Sequence, residues 1–180
     1  MLNRSKYALI VLLAFAALPA TTIAHSLLQP QEKKNYLTDY EADKIRDTQD
    51  PGERIRLYIS YAEERLKQFQ YELARKTPEG RRGDILNSLL NGYVGCFDDG
   101  TDEIEVARER QVDIRSALQL FDKKGKEFLA QLQKINKNSP DYDMYSDTLQ
   151  DAVEGTQEDL HDIEAALKEL NPAPVRRKPS

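Results

Sequence analysis

Glu158 and His161 are the residues of this sequence whose spacing comes closest to a metal-binding motif. They lie three positions apart, which places both side chains on one face of a helix. Glu-x-x-His is the step by which four-helix proteins bind a pair of iron ions, and such a site needs two copies of it. The sequence holds one copy, and its only other histidine is His25. We therefore predict that His161 flanks a helix interface and ligates no metal.

His25 is the second histidine whose position has a chemical meaning. It follows Thr22-Ile23-Ala24, the small residues of a signal-peptide cleavage site, so cleavage would make it the new N-terminus. A terminal α-amine and an imidazole together form a bidentate copper ligand, but a copper site needs a second, preorganised histidine. His161 is the only candidate. His25, Glu158 and His161 are thus the only candidate metal ligands, and we predict neither a bound metal nor a cofactor.

The densest group of acidic side chains lies in the middle of the chain. Clustered oxygen ligands can bind Ca²⁺, but the spacing of this group does not match an EF-hand loop. Basic residues follow at Arg108 and Arg110. We interpret the group as a solvated helix face. Its members are Asp98, Asp99, Asp102, Glu103 and Glu105.

Cys96 is the only cysteine, so no disulfide can form within the chain. It lies between Tyr93 and Phe97 near an apolar stripe, without a neighbouring lysine or histidine to activate the thiol. Gly92 and Gly95 flank it, and a glycine inside a helix costs about 1 kcal/mol relative to alanine. We predict a buried thiol and, at the two glycines, either close approach by another helix or a local kink.

The rest of the sequence offers no catalytic constellation. It contains no nucleophile elbow, no glycine-rich phosphate loop and no paired-histidine motif. It also lacks the Cys-x-x-Cys-His pattern that attaches haem. The sequence therefore predicts a protein that is not an enzyme.

Residues 1–24 have the three parts of a signal peptide. Arg4 and Lys6 form a positive start, and Ala8–Leu18 form an apolar run that Pro19 ends. At about 1.5 Å per residue, this run is too short to cross about 30 Å of hydrocarbon. We predict a secreted or periplasmic protein that keeps no membrane anchor after cleavage.

Cleavage leaves an acidic mature chain. It removes Arg4 and Lys6 and no acidic residue, so 24 basic side chains remain against 31 acidic ones, a net charge of −7. Such a chain repels bulk nucleic acid and anionic lipid. We therefore predict no nucleic-acid partner. The basic, proline-rich tail at 172–180 is predicted to be disordered.

Long amphipathic segments, with the apolar spacing of coiled coils, occupy the rest of the chain. Capping patterns predict helix starts at Thr38 and at Asp50-Pro51. Two in-phase stripes between Leu86 and Ile135 would together form one helix of about fifty residues. We favour a hairpin, with a break between Arg108 and Asp113 and with Asp113 as N-cap.

The last helix is predicted to start at Ser139-Pro140 and to end at Asn171-Pro172. Four long helices with short connections predict an all-α fold. The predicted architecture is an antiparallel four-helix bundle with a short extra N-terminal helix packed across one end. The predicted domains are a signal peptide at 1–24, a flexible leader at 25–36, the bundle at 37–171 and the tail at 172–180.

An exported bundle without a catalytic motif is typical of a binding protein. We predict a structural or interaction module of the cell envelope, whose partner is an unknown protein or envelope component. Two alternatives stay open: a small metal- or cofactor-handling bundle protein, and a periplasmic chaperone of the holdase type. A metal protein would purify with stoichiometric metal, and a holdase would expose a contiguous apolar face.

Overall fold

The structure, a computed structural model, describes residues 36–76 and 80–170. These residues form helices and their connections, which confirms the predicted all-α class for this part of the chain. None of the helices described is long and apolar enough to span a membrane. The predicted signal peptide, nearly all of the predicted leader and the tail lie outside the described residues. The helices are α1 (Asp39–Asp47), α2 (Pro51–Ala74), α3 (Arg82–Arg110), α4 (Arg115–Gln133) and α5 (Ser146–Leu170), with a 3₁₀ turn at Tyr142–Met144.

The first two helices begin where their capping residues predict. Thr38 Oγ1 accepts the backbone N–H of Glu41 at 3.2 Å, and Glu41 Oε2 accepts the backbone N–H of Thr38 at 2.7 Å. Asp50 Oδ1 accepts the backbone N–H of Glu53 at 2.9 Å, with Pro51 as the first helical residue. These bonds satisfy N–H groups that lack a partner within the helix, so both starts are determined locally.

A break separates α3 from α4 within the predicted interval, which confirms two helices instead of one. Gln111 ends α3 in the left-handed region, with φ 55° and ψ 39°. The N–H of Val112 then reaches back to the carbonyl of Ala107 at 3.0 Å, as in a Schellman turn. Asp113 Oδ1 accepts the N–H of Arg115 at 2.9 Å. Asp113 therefore supports the start of α4, but the N-cap is Ile114 and not Asp113, which corrects the prediction by one residue.

The last helix begins at Ser146 and not at Pro140, which corrects the prediction. Residues 139–145 instead form tight turns. Tyr145 is buried, and its ring packs edge-on against Phe69 of α2 with 5.5 Å between the centroids. Because this large side chain is buried at the end of the core, the connection turns across that end before the regular helix starts.

Two pairs of helices pack as antiparallel neighbours along their length. Arg54 near the start of α2 contacts Glu103 near the end of α3, at 3.3 Å. Arg115 at the start of α4 donates to the carbonyl of Leu170 at the end of α5, at 2.8 Å. Each pair therefore forms a helical hairpin, α2 with α3 and α4 with α5.

The helices that face each other across the two hairpins, α3 with α5 and α2 with α4, run parallel to each other. Between α3 and α5, hydrogen-bonded residues are 61 positions apart both at Asn87–Thr148 and at Arg108–Glu169. A constant separation means that the two helices advance together, so they are parallel. The same separation of 61 recurs between α2 and α4, at Glu63–Lys124 and Gln70–Gln131.

The apolar stripes of the four long helices meet in one core. Leu66, Phe121 and Leu160, from the middle of three predicted stripes, are all buried. The rings of Phe97 and Phe121 are 4.7 Å apart between centroids. Gly125 of α4 makes this approach possible, since an added Cβ would lie 2.8 Å from both Phe97 Cζ and Leu160 Cδ2.

Arg82 links the turns of the two hairpins. Its side chain is buried and donates to the carbonyls of Leu73 at 3.0 Å and Arg75 at 3.2 Å, at the end of α2. Its Nε also lies 3.2 Å from Asp141 Oδ2, in the connection between α4 and α5. These contacts compensate for the burial of a charge.

Candidate functional site

The structure places two of the three candidate metal ligands on one exposed face of α5. Glu158 and His161 are both exposed on α5, where they border an open depression of the surface. Among the described residues, no three His, Cys, Asp or Glu side chains are placed to hold a metal ion. The third candidate, His25, lies outside the residues that the structure describes.

Only three of the five acidic residues between 98 and 105 share one solvated face, which corrects that interpretation in part. The five span about two helical turns, so their side chains leave α3 in several directions. Glu103 is buried and pairs with Arg54 at 3.3 Å. Asp99 accepts a hydrogen bond from the hydroxyl of Tyr36. The members of the group that are exposed are Asp98, Asp102 and Glu105.

Residues 36–48 pack along the side of α2 and α3, and not across an end as predicted. The ring of Tyr36 lies against Gly95 of α3, where an added Cβ would be 2.7 Å from two ring carbons. Arg65, well inside α2, donates to the carbonyl of Tyr36 at 3.0 Å and to Glu41 Oε2 at 2.6 Å. The close approach predicted at this glycine is therefore made by an aromatic ring and not by another helix.

Cys96 is fully buried, which confirms the predicted buried thiol. It lies close to Tyr36 and Arg65, on the same side of the molecule. Gly92 admits the stem of Arg65, whose Cδ would lie 3.3 Å from an added Cβ. The two glycines thus serve to seat residues 36–48 and the arginine that binds them.

A groove of about 380 Å³ separates α3 from α5 along their C-terminal halves. Its floor is apolar and includes Ile104 and Ala166. Arg108 crosses one end, where it pairs with Glu105 on its own helix and with Glu169 on α5 at 2.9 Å. Among the described residues, the rims of the groove carry one basic side chain, Arg108, and four acidic ones. The acidic side chains are Asp102, Glu105, Asp162 and Glu169.

A buried hydrogen bond fixes the alignment of α3 along α5. The hydroxyls of Tyr93 and Thr156 lie 2.7 Å apart, and both residues are buried. Thr156 gives its own proton to the carbonyl of Ala152 at 2.6 Å. Tyr93 is therefore the donor in the bond between the helices.

Asp98 of α3 and Asp159 of α5 form a carboxyl pair beside the groove. Their side chains lie within hydrogen-bonding range of each other, so a proton held by either carboxyl would link the pair. If both were ionised, Asp159 Oδ2 would be buried without a hydrogen-bond partner. Burial, together with the charge of Asp98, raises the pKa of Asp159 to about 7. Partial burial also raises the pKa of Asp98.

Such a pair can act in proton transfer or as a link between helices. Enzymes use carboxyl pairs with separated pKa values as acid and base, at the surface of a substrate cleft. Neither Asp98 nor Asp159 lines the groove. Because the shared proton lies between two helices and not in the groove, the geometry favours a link.

Sequence reasoning placed Asp98 in the acidic group and missed Asp159. One signal was present, since Asp159 directly precedes Leu160 of the apolar stripe and must therefore lie near the edge of a helix interface. Its partner could not be identified without the parallel alignment of α3 and α5.

The fold and the site together define an all-helical protein with a charged groove between two parallel helices. In comparisons with known proteins, no family model, no curated protein and no solved structure matches the chain.

Proposed function

We propose that this chain is an exported, non-enzymatic helical-bundle protein that binds a partner protein of the cell envelope. The pattern of residues 1–24 supports export to the periplasm or beyond the cell. The groove between α3 and α5 supports binding, and it is the observation that carries the proposal. Binding sites are typically concave, with apolar floors and a few polar groups that orient the ligand.

The bundle of this proposal consists of two hairpins, α2–α3 and α4–α5, with α1 along the flank. α3 and α4, which follow each other in the chain, would then face each other diagonally. The close pairs α2–α3, α3–α5, α4–α5 and α2–α4 support this arrangement. So does the contact of Phe97 with Phe121 across the core. Regular helices on both sides of the groove would hold its rims in a defined geometry.

The occupant that fits the groove is a protein segment with basic and apolar side chains. Its lysines or arginines would lie along the acidic rims, and its apolar side chains would cover Ile104 and Ala166. Complementary charge orients the partner and accelerates association. Each exposed ion pair contributes only about 0 to 1 kcal/mol, so affinity would also need the apolar contacts. Binding should weaken as salt is added.

An NMR titration of the mature protein tests the proposal with a defined probe. The probe is a short peptide of lysine, leucine and alanine, and its control contains glutamate in place of lysine. We expect saturable chemical-shift changes at residues 101–108 and 162–169 with the basic peptide only. Added salt should reduce them.

Charge-neutralised variants make the test specific for the groove. Asp102→Asn together with Asp162→Asn should weaken binding several-fold, and by no more than about thirtyfold, because two exposed rim charges are lost. Glu109→Gln together with Asp151→Asn removes two exposed carboxylates from the same helices and should leave the affinity unchanged. Equal weakening in both double variants, or shifts spread over the whole surface, would contradict a binding site in the groove.

A further inference from the structure

We propose that the carboxyl pair Asp98–Asp159 is a pH-sensitive link between α3 and α5, which holds the helices together while it shares a proton and loosens them when that proton is lost. Asp159 Oδ2 is buried and has no hydrogen-bond partner among the described residues, and a proton shared with Asp98 would supply one. The link does not depend on whether the groove binds a partner.

Fixed contacts on either side of the pair limit where the helices can separate. The hydroxyls of Tyr93 and Thr156 lie 2.7 Å apart within the core, on the N-terminal side of the carboxyl pair in both helices. Arg108 and Glu169 are joined at 2.9 Å beyond it. Loss of the proton should therefore loosen the stretch between these two contacts, which contains the inner end of the groove.

The charges around the pair disfavour its full ionisation, whereas a hydrogen bond from the Thr101 hydroxyl favours the charged form of Asp159. The groups that act on it most strongly are Asp99 and Asp102 on α3 and Asp162 on α5. Buried Tyr93 also lies within electrostatic range of both carboxyls. No basic group, and no titratable group of α2 or α4, is among the strongest influences on the pair. A second negative charge would thus enter an already acidic, partly desolvated interface.

Stability should fall as pH rises through the range in which only the folded protein holds the shared proton. An unfolded aspartate titrates near a pKa of about 3.9, whereas the pKa of folded Asp159 is raised to about 7. Between these values the folded state binds one more proton than the unfolded state, so the unfolding equilibrium constant should grow by up to about tenfold per pH unit. Above pH 7 this contribution is lost.

Carboxyl ¹³C NMR and denaturant unfolding between pH 4 and pH 8 test the link. In the unmodified mature protein, Asp159 should titrate near neutrality. The variant Asp159→Asn carries a permanently neutral hydrogen-bond donor, so its unfolding midpoint should depend much less on pH over this range. Asp98→Asn should act in the same way and serves as a second variant if the first does not fold. Asp151→Asn, at an exposed position of α5, is the control and should keep the original pH dependence.

Amide hydrogen exchange distinguishes a link from a merely perturbed carboxyl. After correction for the intrinsic pH dependence, amides at 98–105 and 159–166 should exchange faster at pH 8 than at pH 5 in the unmodified protein. They should be unaffected by pH in Asp159→Asn. Titration of Asp159 near its ordinary value would overturn the proposal, and so would the same pH dependence in Asp159→Asn as in the unmodified protein.

Discussion

The ring of Tyr36 rests directly on Gly95, at a position of α3 where even a methyl group would collide with it. The hydroxyl of the same tyrosine donates to Asp99, one helical turn further along α3. Residues 36–48 are thus attached to the bundle through a helix-interior glycine, together with the bonds of Arg65.

Gly95→Ala should release residues 36–48 without weakening the core. The added methyl group would displace the Tyr36 ring, while alanine favours the helix by about 1 kcal/mol over glycine. We expect faster amide exchange in residues 38–48 and an unfolding midpoint that is unchanged or raised. Gly155→Ala is the matched control, because no atom lies within 4 Å of its added Cβ. Unchanged exchange in Gly95→Ala would show that Tyr36 does not anchor the segment.

Acid should detach the same segment. Partial burial opposes ionisation of Glu41, but hydrogen bonds from Arg65 and Thr38 outweigh it and lower the pKa of Glu41. A lowered pKa in the folded state contributes stability above the unfolded value of about 4.3, and this is lost as pH falls through the folded pKa. Amides of α1 should therefore lose protection below about pH 4.

Two variants on α1 check the role of that carboxylate. Glu41→Gln should show the reduced protection of α1 already at neutral pH, since the charged partner of Arg65 is gone. Asp43→Asn removes an exposed carboxylate that pairs only locally with Arg46 in the described contacts, and it should behave as the unmodified protein. Acid-sensitive protection that survives in Glu41→Gln would assign the effect to another group.

Shortening one buried side chain should lower the free energy of unfolding by a similar amount on each of the three helices tested. Leu66→Ala, Phe121→Ala and Leu160→Ala each remove a buried side chain, and each should reduce the free energy of unfolding by about 2 to 5 kcal/mol. The exposed control Glu158→Ala should change it by no more than about 0.5 kcal/mol. Denaturant midpoints give the comparison. Similar losses in all four variants would mean that the stripes do not face a common core.

The mature protein should begin at His25. Thr22 and Ala24 are the small residues that a signal peptidase selects. The intact mass of the exported protein measures the cleavage position directly. A precursor of full mass in the membrane fraction would contradict both cleavage and export.

Helix starts, and the break between α3 and α4, could be predicted because their causes are local. Thr38 and Asp50 cap the backbone within three residues, and a polar interval with Asp113 interrupts two stripes. The start of α5 could not be predicted in this way. Ser139-Pro140 is a good local start signal, but burial of Tyr145 against another helix prevails over it.

Neither the carboxyl pair nor the contact of Tyr36 with Gly95 could be predicted from the sequence, because both depend on which parts of the chain pack as neighbours. Periodicity identifies the buried face of each helix, but it does not say which helix covers that face. Asp98 meets Asp159 only because α3 and α5 are parallel and in register. Likewise, nothing near Gly95 in sequence indicates that its occupant is the aromatic ring of a distant residue, Tyr36.

Arg82 should couple the opening of two separate chain connections, because it contacts both. Its guanidinium donates hydrogen bonds to the carbonyl groups of Leu73 and Arg75 and forms an ion pair with the carboxylate of Asp141. If either connection moves away, a buried positive charge loses part of its compensation, so release of one favours release of the other. Lysine would replace it poorly, because its single nitrogen cannot lie beside both carbonyls and the carboxylate as the three nitrogens of a guanidinium do. Local unfolding at this end of the molecule should therefore be all-or-none across two stretches that are far apart in the chain.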